Sequence, residues 1–149
     1  MACSWWGARR SSCLQKWPST LRYLAAWFVL LAIAVINGAL RDFTYGRQLP
    51  ELLANQLSCV SGIILFGVVF YQFVHRWPPA SVRQALYIGL FWMVLTVAFE
   101  FLFFHYVAGH PWPVLLANYD IASGRLWPLI LLWVAFGPYL FFRIFNRRT

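Results

Sequence analysis

Phe99-Glu100-Phe101-Leu102-Phe103-Phe104-His105-Tyr106-Val107-Ala108-Gly109-His110-Pro111-Trp112-Pro113-Val114-Leu115-Leu116-Ala117-Asn118-Tyr119-Asp120 is the stretch on which the fold of this chain turns. It starts inside an apolar segment long enough to cross a bilayer and carries the one acid found within such a segment, Glu100. It leaves the apolar zone through two His, two Pro and a Trp, and ends at Asp120. A charge in hydrocarbon is expensive and, where it occurs, faces the interior of a helix bundle and marks a candidate site. The stretch therefore reads as the end of a membrane span and as the first place to seek a functional group.

Outward from it, apolar segments run at about Leu21–Leu40, Leu57–Val74, Gln84–Val107 and Arg125–Phe142. A span needs about 20 residues. The chain is 62% hydrophobic and only 11% charged, against about 25% charged in soluble domains, so lipid must cover part of its surface. Residues 1–22 read as a basic tail, cytoplasmic or lying on headgroups, with Trp5, Trp6 and Trp17. Residues 23–143 read as the membrane domain and 144–149 as a second basic tail. Pro18-Ser19-Thr20 predicts a helix start, Ser81 a cap for the third span, and Pro138 a kink in the fourth. A cleaved signal peptide, with Ala32-Ile33-Ala34 as the small-residue site, is the rival reading of the first segment.

The net charge of +8 would point to nucleic acid in a soluble protein. Here the basic residues flank apolar segments, which is the pattern of lipid attraction, so no nucleic acid is expected. Nine Lys and Arg lie in the two tails and the 76–83 turn, against Arg41, Arg47 and Arg125 on the other side. That places both termini in the cytoplasm. All four acids, Asp42, Glu51, Glu100 and Asp120, then fall on or toward the outer face. Tyr23, Trp77, Trp112, Tyr119, Trp127 and Tyr139 near the span ends read as interfacial anchors. Cys3 and Cys13 lie across the bilayer from Cys59, so Cys59 is expected as a free buried thiol.

A shift of 63 residues aligns Gly46-Arg47-Gln48-Leu49-Pro50-Glu51-Leu52-Leu53-Ala54-Asn55 with Gly109-His110-Pro111-Trp112-Pro113-Val114-Leu115-Leu116-Ala117-Asn118, with six of ten positions identical. Each copy lies between an odd and an even span. The pattern predicts two repeated hairpins, about 23–75 and 84–143, each with a short interfacial helix in its outer loop, related by an axis along the membrane normal. The same offset pairs Asn37 with Glu100. The expected fold class is thus an all-α polytopic membrane protein of four spans, N-in and C-in.

Glu100 with Asn37 and Arg41 forms the leading candidate, as a binding site or as a structural lock of carboxylate on guanidinium. Asp42, His105, His110, Asp120 and Arg125 form a second, polar cluster at the outer face. No zinc spacing occurs, His105-x4-His110 lacks the glutamate of the helical metalloprotease pattern, and no glycine-rich phosphate loop is present. No metal, no cofactor and no catalytic residue is assigned. Ser58, Ser61 and Ser123 stand outside any nucleophile-elbow context.

Asn37-Gly38-Ala39-Leu40-Arg41, Phe99-Glu100-Phe101 and Leu116-Ala117-Asn118-Tyr119-Asp120, followed by Gly124-Arg125-Leu126, resemble a family of small uncharacterised bacterial four-helix integral membrane proteins. The likeness covers about residues 24–143 and implies no activity. In that pattern an acid often stands where this chain has Asn37, which implies a weaker first polar site here. The Gly-Ala-Leu-Arg stretch is also similar to one in four-span fluoride channels, whose Thr/Phe-rich signature this chain lacks. The expected role is non-enzymatic binding of a partner, lipid or small solute at the outer face of a bacterial inner membrane, with a homodimer or larger membrane complex as the expected assembly. The alternatives are a proton-coupled transporter or channel using Glu100, and a membrane enzyme using the His and Asp residues of the outer face.

Overall fold

The structure, a computed structural model, describes residues 19–147. The basic tail up to residue 18, with Cys3, Cys13 and its Trp residues, and Arg148 at the other end lie outside the described residues. Helix α1 runs Ser19–Phe43, α2 Glu51–Arg76, α3 Val82–Leu102, α4 Trp112–Ala117 and α5 Trp127–Asn146. No strand occurs among the described residues. Four helices are long and apolar enough to cross a membrane: Thr20–Phe43, Glu51–Arg76, Val82–Val107 and Trp127–Asn146. Large apolar side chains such as Phe28, Ile36, Ile64, Val94 and Leu132 stand exposed along them. That exposure is consistent with a membrane protein, in which such faces meet lipid rather than water.

Successive long helices alternate in direction. Tyr23 near the start of α1 meets Phe73 near the end of α2, with ring centroids 6.0 Å apart, while Asn37 near the end of α1 meets Ser58 near the start of α2. Ser81 caps α3, its hydroxyl accepting from Gln84 N at 3.1 Å. Gln84 accepts in return from Ala80 N at 2.6 Å and donates to the Tyr23 hydroxyl at 2.7 Å. This capping pair satisfies helix-end amides that have no intrahelical partner and pins the start of α3 to α1.

Helices α2, α3 and α5 converge on Phe70 and Trp92, both 0% exposed and stacked 5.9 Å apart. Glycine makes the convergence possible. A Cβ at Gly89 on α3 would overlap the Ala135 carbonyl of α5, and one at Gly137 would overlap the Phe70 ring. In lipid, where apolar attraction between helices is weak, such close backbone approach supplies the packing energy. Helix α5 continues through Pro138, which is fully buried. Pro138 leaves the Val134 carbonyl without its helical donor, and the absent side chain of Gly89 gives α3 room beside that carbonyl.

Indole donors tie the bundle across helices. Trp27 donates to Thr96 Oγ1 at 3.2 Å, Trp92 to the Tyr23 carbonyl at 2.8 Å, and Trp133 to the Ile63 carbonyl at 3.0 Å. Each joins two different spans. Cys59 is free and buried as expected, its thiol donating to Asn55 Oδ1 at 3.4 Å.

One expectation fails in the α1–α2 connection. The helix expected to start at Pro50 is not a separate one: Pro50 opens α2, and Glu51–Gln56 is the first part of one 26-residue helix, preceded in the connection only by a three-residue 3-10 turn, Tyr45–Arg47. Nothing in Gln56-Leu57-Ser58-Cys59 interrupts helical hydrogen bonding, so the turn begun at Pro50 propagates into the span. In the second loop a six-residue helix does form, Trp112–Ala117.

Candidate functional site

Glu100 lies in the last turn of α3 and is 6% exposed. Just beyond it the helix widens into a π turn, Phe103–Val107, whose first amide, Phe103 N, bonds to both the Glu100 and the Phe99 carbonyls. Tyr119 Oη donates to Glu100 Oε2 at 2.7 Å, and Trp127 Nε1 donates to the same oxygen at 2.8 Å. Tyr119 comes from the loop just after α4, and Trp127 is the first residue of α5. Trp127 therefore turns inward, contrary to its expected role as an interfacial anchor, and Tyr119 does the same. Burial, with the hydrogen bond and charge of Glu100 beside it, pushes the Tyr119 phenol well above the ordinary tyrosine range. The phenol accordingly stays a donor.

The expected meeting of Glu100 with Asn37 and Arg41 does not occur. No hydrogen bond or ion pair joins them among the described residues. Arg41 Nε instead pairs with Asp42 Oδ1 at 2.8 Å, on the surface. Asn37 is consumed within the first hairpin: its Nδ2 donates to Ser58 O at 2.8 Å and Ser58 Oγ at 3.1 Å, and its Oδ1 accepts from Ser61 Oγ at 2.8 Å. Two small hydroxyl residues one turn apart on α2 satisfy a single amide, and so remove it from the bundle axis. Glu100 takes its hydrogen bonds instead from the loop after α4 and from the start of α5.

An aromatic column closes over the site. His105 packs on Trp112 at 4.2 Å, Trp112 on Phe101 at 5.8 Å, and Phe101 on Tyr119 at 5.7 Å. His105 Nδ1 lies 3.0 Å from the His110 carbonyl; a carbonyl only accepts, so this nitrogen carries the proton. The column holds α4 against the end of α3 and delivers the Tyr119 hydroxyl to Glu100.

The remaining polar residues at this end of the bundle form a second group. Arg125 donates to Asn118 Oδ1 at 2.7 Å and lies 3.6 Å from Glu51 Oε1. Asp120 caps the short turn Ile121–Ser123, accepting from Ala122 N at 3.1 Å and Ser123 N at 3.4 Å. Gln56 Nε2 on α2 donates to the Gly124 carbonyl at 3.1 Å. Glu51, Asn55, Ser123 and Arg125 line a cleft of about 250 Å³. Asp42, His105, His110, Asp120 and Arg125 therefore do not share one cluster. No group of three or more His, Cys, Asp or Glu able to hold a metal occurs among the described residues.

Sequence reasoning missed Tyr119 and Trp127 as partners of Glu100. The usable signal was chemical: a buried carboxyl needs donors, and these are donor-bearing aromatics expected at the membrane level where α3 ends. No family model, curated protein or solved structure matches the chain.

Proposed function

We propose that this chain is a non-enzymatic four-span membrane protein whose Glu100 receives a cationic or hydrogen-bond-donating group from a small solute, lipid or partner at the outer face. One observation carries the reading. The carboxyl is largely buried, both of its protein donors are neutral and share Oε2, and Oε1 has no donor among the described residues while no fully buried side-chain oxygen there lacks a partner, so Oε1 keeps an opening to the outside. A carboxylate in hydrocarbon without a counter-ion is unfavourable by several kcal/mol or more, so the group is completed by a proton or by a cation from outside.

Both termini face the cytoplasm in this reading, in a bacterial inner membrane. The nine-to-three distribution of Lys and Arg supports that orientation. The two hairpins derive from a duplication, and α4 lies at the outer interface with Trp112 exposed. The motif likeness to small bacterial four-helix membrane proteins fits the same picture. The catalytic alternative loses support because Asp120 and the Nδ1 of His105 are engaged within the loop.

Purified protein in detergent, titrated with sodium, potassium, tetramethylammonium and methylammonium, supplies the test by thermal unfolding. At least one of these cations should raise the melting temperature of the wild type and leave Glu100→Gln unmoved. The binding reading fails if none acts, or if Glu100→Gln responds equally. Proton-coupled transport draws on the same open Oε1, and proton-linked flux in liposomes, abolished by Glu100→Gln, distinguishes it from passive binding.

A further inference from the structure

The end of the bundle remote from Glu100 carries a second feature, independent of that site and resting on the membrane reading with both termini in the cytoplasm. An open groove of about 400 Å³ runs between α1 and α2. Its inner part is apolar, walled by Ala26 and Val29 of α1 and Val68 of α2. Its outer end is formed by Gln72, Arg76 and Trp77. From Val68 to Arg76 the helix rises by about 12 Å.

The two ends differ in chemistry. Val29 and Val68 are 49% and 56% exposed, so the apolar part faces whatever surrounds the spans. Gln72 and Arg76 are also exposed. The amide of Gln72, the guanidinium of Arg76 and the indole N–H of Trp77 are all donors, and none has a side-chain hydrogen-bond partner among the described residues. The acids are elsewhere: Asp42 ends α1, Glu51 begins α2, Glu100 ends α3 and Asp120 follows α4. A cationic, donor-rich mouth leading into an apolar trough open to the bilayer matches an amphiphile with an anionic head.

The geometry points to a binding site for one anionic phospholipid, its phosphate held by Arg76 with Gln72 and Trp77, and one acyl chain lying in the α1–α2 groove. Guanidinium recognises phosphate by paired, charge-assisted hydrogen bonds. The cytoplasmic leaflet, on which this end lies when both termini are cytoplasmic, is the anionic one. Arg76 thereby acts as a specific lipid contact as well as a topology determinant.

The test uses the full chain in vesicles of mixed phosphatidylglycerol and phosphatidylcholine, extracted gently, with bound lipid counted by native mass spectrometry. Wild type should retain phosphatidylglycerol over phosphatidylcholine by about fivefold. Arg76→Gln should abolish that preference. Val68→Phe, which fills the trough from an exposed position, should lower retention of both lipids. Arg83→Gln, a basic change at the same end but off the groove, should keep the preference. The inference is overturned if wild type shows no preference, if Arg83→Gln matches Arg76→Gln, or if Val68→Phe retains lipid as wild type does. Excess inorganic phosphate that strips phosphatidylglycerol as completely as Arg76→Gln would also overturn it, by marking a free-phosphate site. All three substitutions are at exposed positions, and unchanged thermal unfolding in phosphatidylcholine verifies their fold.

Discussion

The α1–α2 and α3–α5 connections share a Gly, a Pro and Leu-Leu-Ala-Asn at the same spacing and use them differently. Pro50 and Leu52-Leu53-Ala54-Asn55 open a helix that continues without interruption to Arg76. Pro113 and Leu115-Leu116-Ala117-Asn118 make a short helix that stops at Asn118. The difference lies in the residues beyond the shared Asn. After Asn55 the chain is helix-compatible and enters the span. After Asn118, Tyr119 is drawn to Glu100, Asp120 captures two amides ahead of it, and Gly124 turns the chain at φ +84°. A motif can nucleate a helix, but its surroundings decide where that helix ends.

The polar residues inside the two hairpins differ in parallel. Asn37 is satisfied wholly by the adjacent helix, so the first hairpin closes on itself. Glu100 takes its donors from the loop and from the start of α5. The first hairpin thus has an internal lock, whereas the second has a carboxyl whose environment depends on how the loop sits.

The comparison breaks most sharply at Gly62 and Gly124, which a one-residue adjustment of the 63-residue offset brings into register as Ser61-Gly62 and Ser123-Gly124. Gly124 needs a left-handed conformation, and Gly124→Val should cost about 2 kcal/mol. At Gly62 an added Cβ would meet Asn37 Nδ2 at 3.5 Å and Ile130 Cδ1 at 3.7 Å, ordinary contact, so Gly62→Ala should stay within about 0.5 kcal/mol of wild type. Reversible unfolding in mixed micelles measures both. Similar effects at the two positions would dissolve the contrast. Next in size, Asn37→Leu should destabilise by about 1–2 kcal/mol, leaving the Glu100 site and any cation response intact. A lost cation response would mean that the two polar centres communicate.

The smallest effect concerns pH. A phenol raised above its ordinary value keeps its proton in the folded state, so its contribution is whole at neutral pH and is lost as pH climbs above about 10. Stability of wild type should therefore be level in Tyr119 terms up to that point and then fall more steeply than that of Tyr119→Phe. Parallel curves through the alkaline range would count against the Tyr119–Glu100 bond.

Much of the helix pattern is legible because span length and apolar content are properties of contiguous residues. The four spans, the Ser81 cap, the free buried Cys59 and the burial of polar Glu100 all follow from local chemistry. The partners of Glu100 are not legible. Offset 63 pairs Asn37 with Glu100 along the chain, but that register says nothing of which face each presents, and Ser58 and Ser61 capture the amide first. Arg41 suggests itself as the counter-ion because it is the nearest cation in sequence to the end of α1. Its immediate neighbour Asp42 satisfies it at far lower desolvation cost than a buried partner would. Trp127 reads by frequency as an interfacial aromatic, although an indole near a buried carboxyl is also its most accessible neutral donor.

A pair of double-mutant cycles tests the central assignment most directly. In the first, Glu100→Gln and Tyr119→Phe are combined; in the second, Glu100→Gln and Arg41→Leu. Coupling of about 0.6–1.7 kcal/mol in the first cycle and additivity in the second are expected of a carboxyl held by the loop. Additivity between Glu100 and Tyr119, or coupling between Glu100 and Arg41, would contradict it.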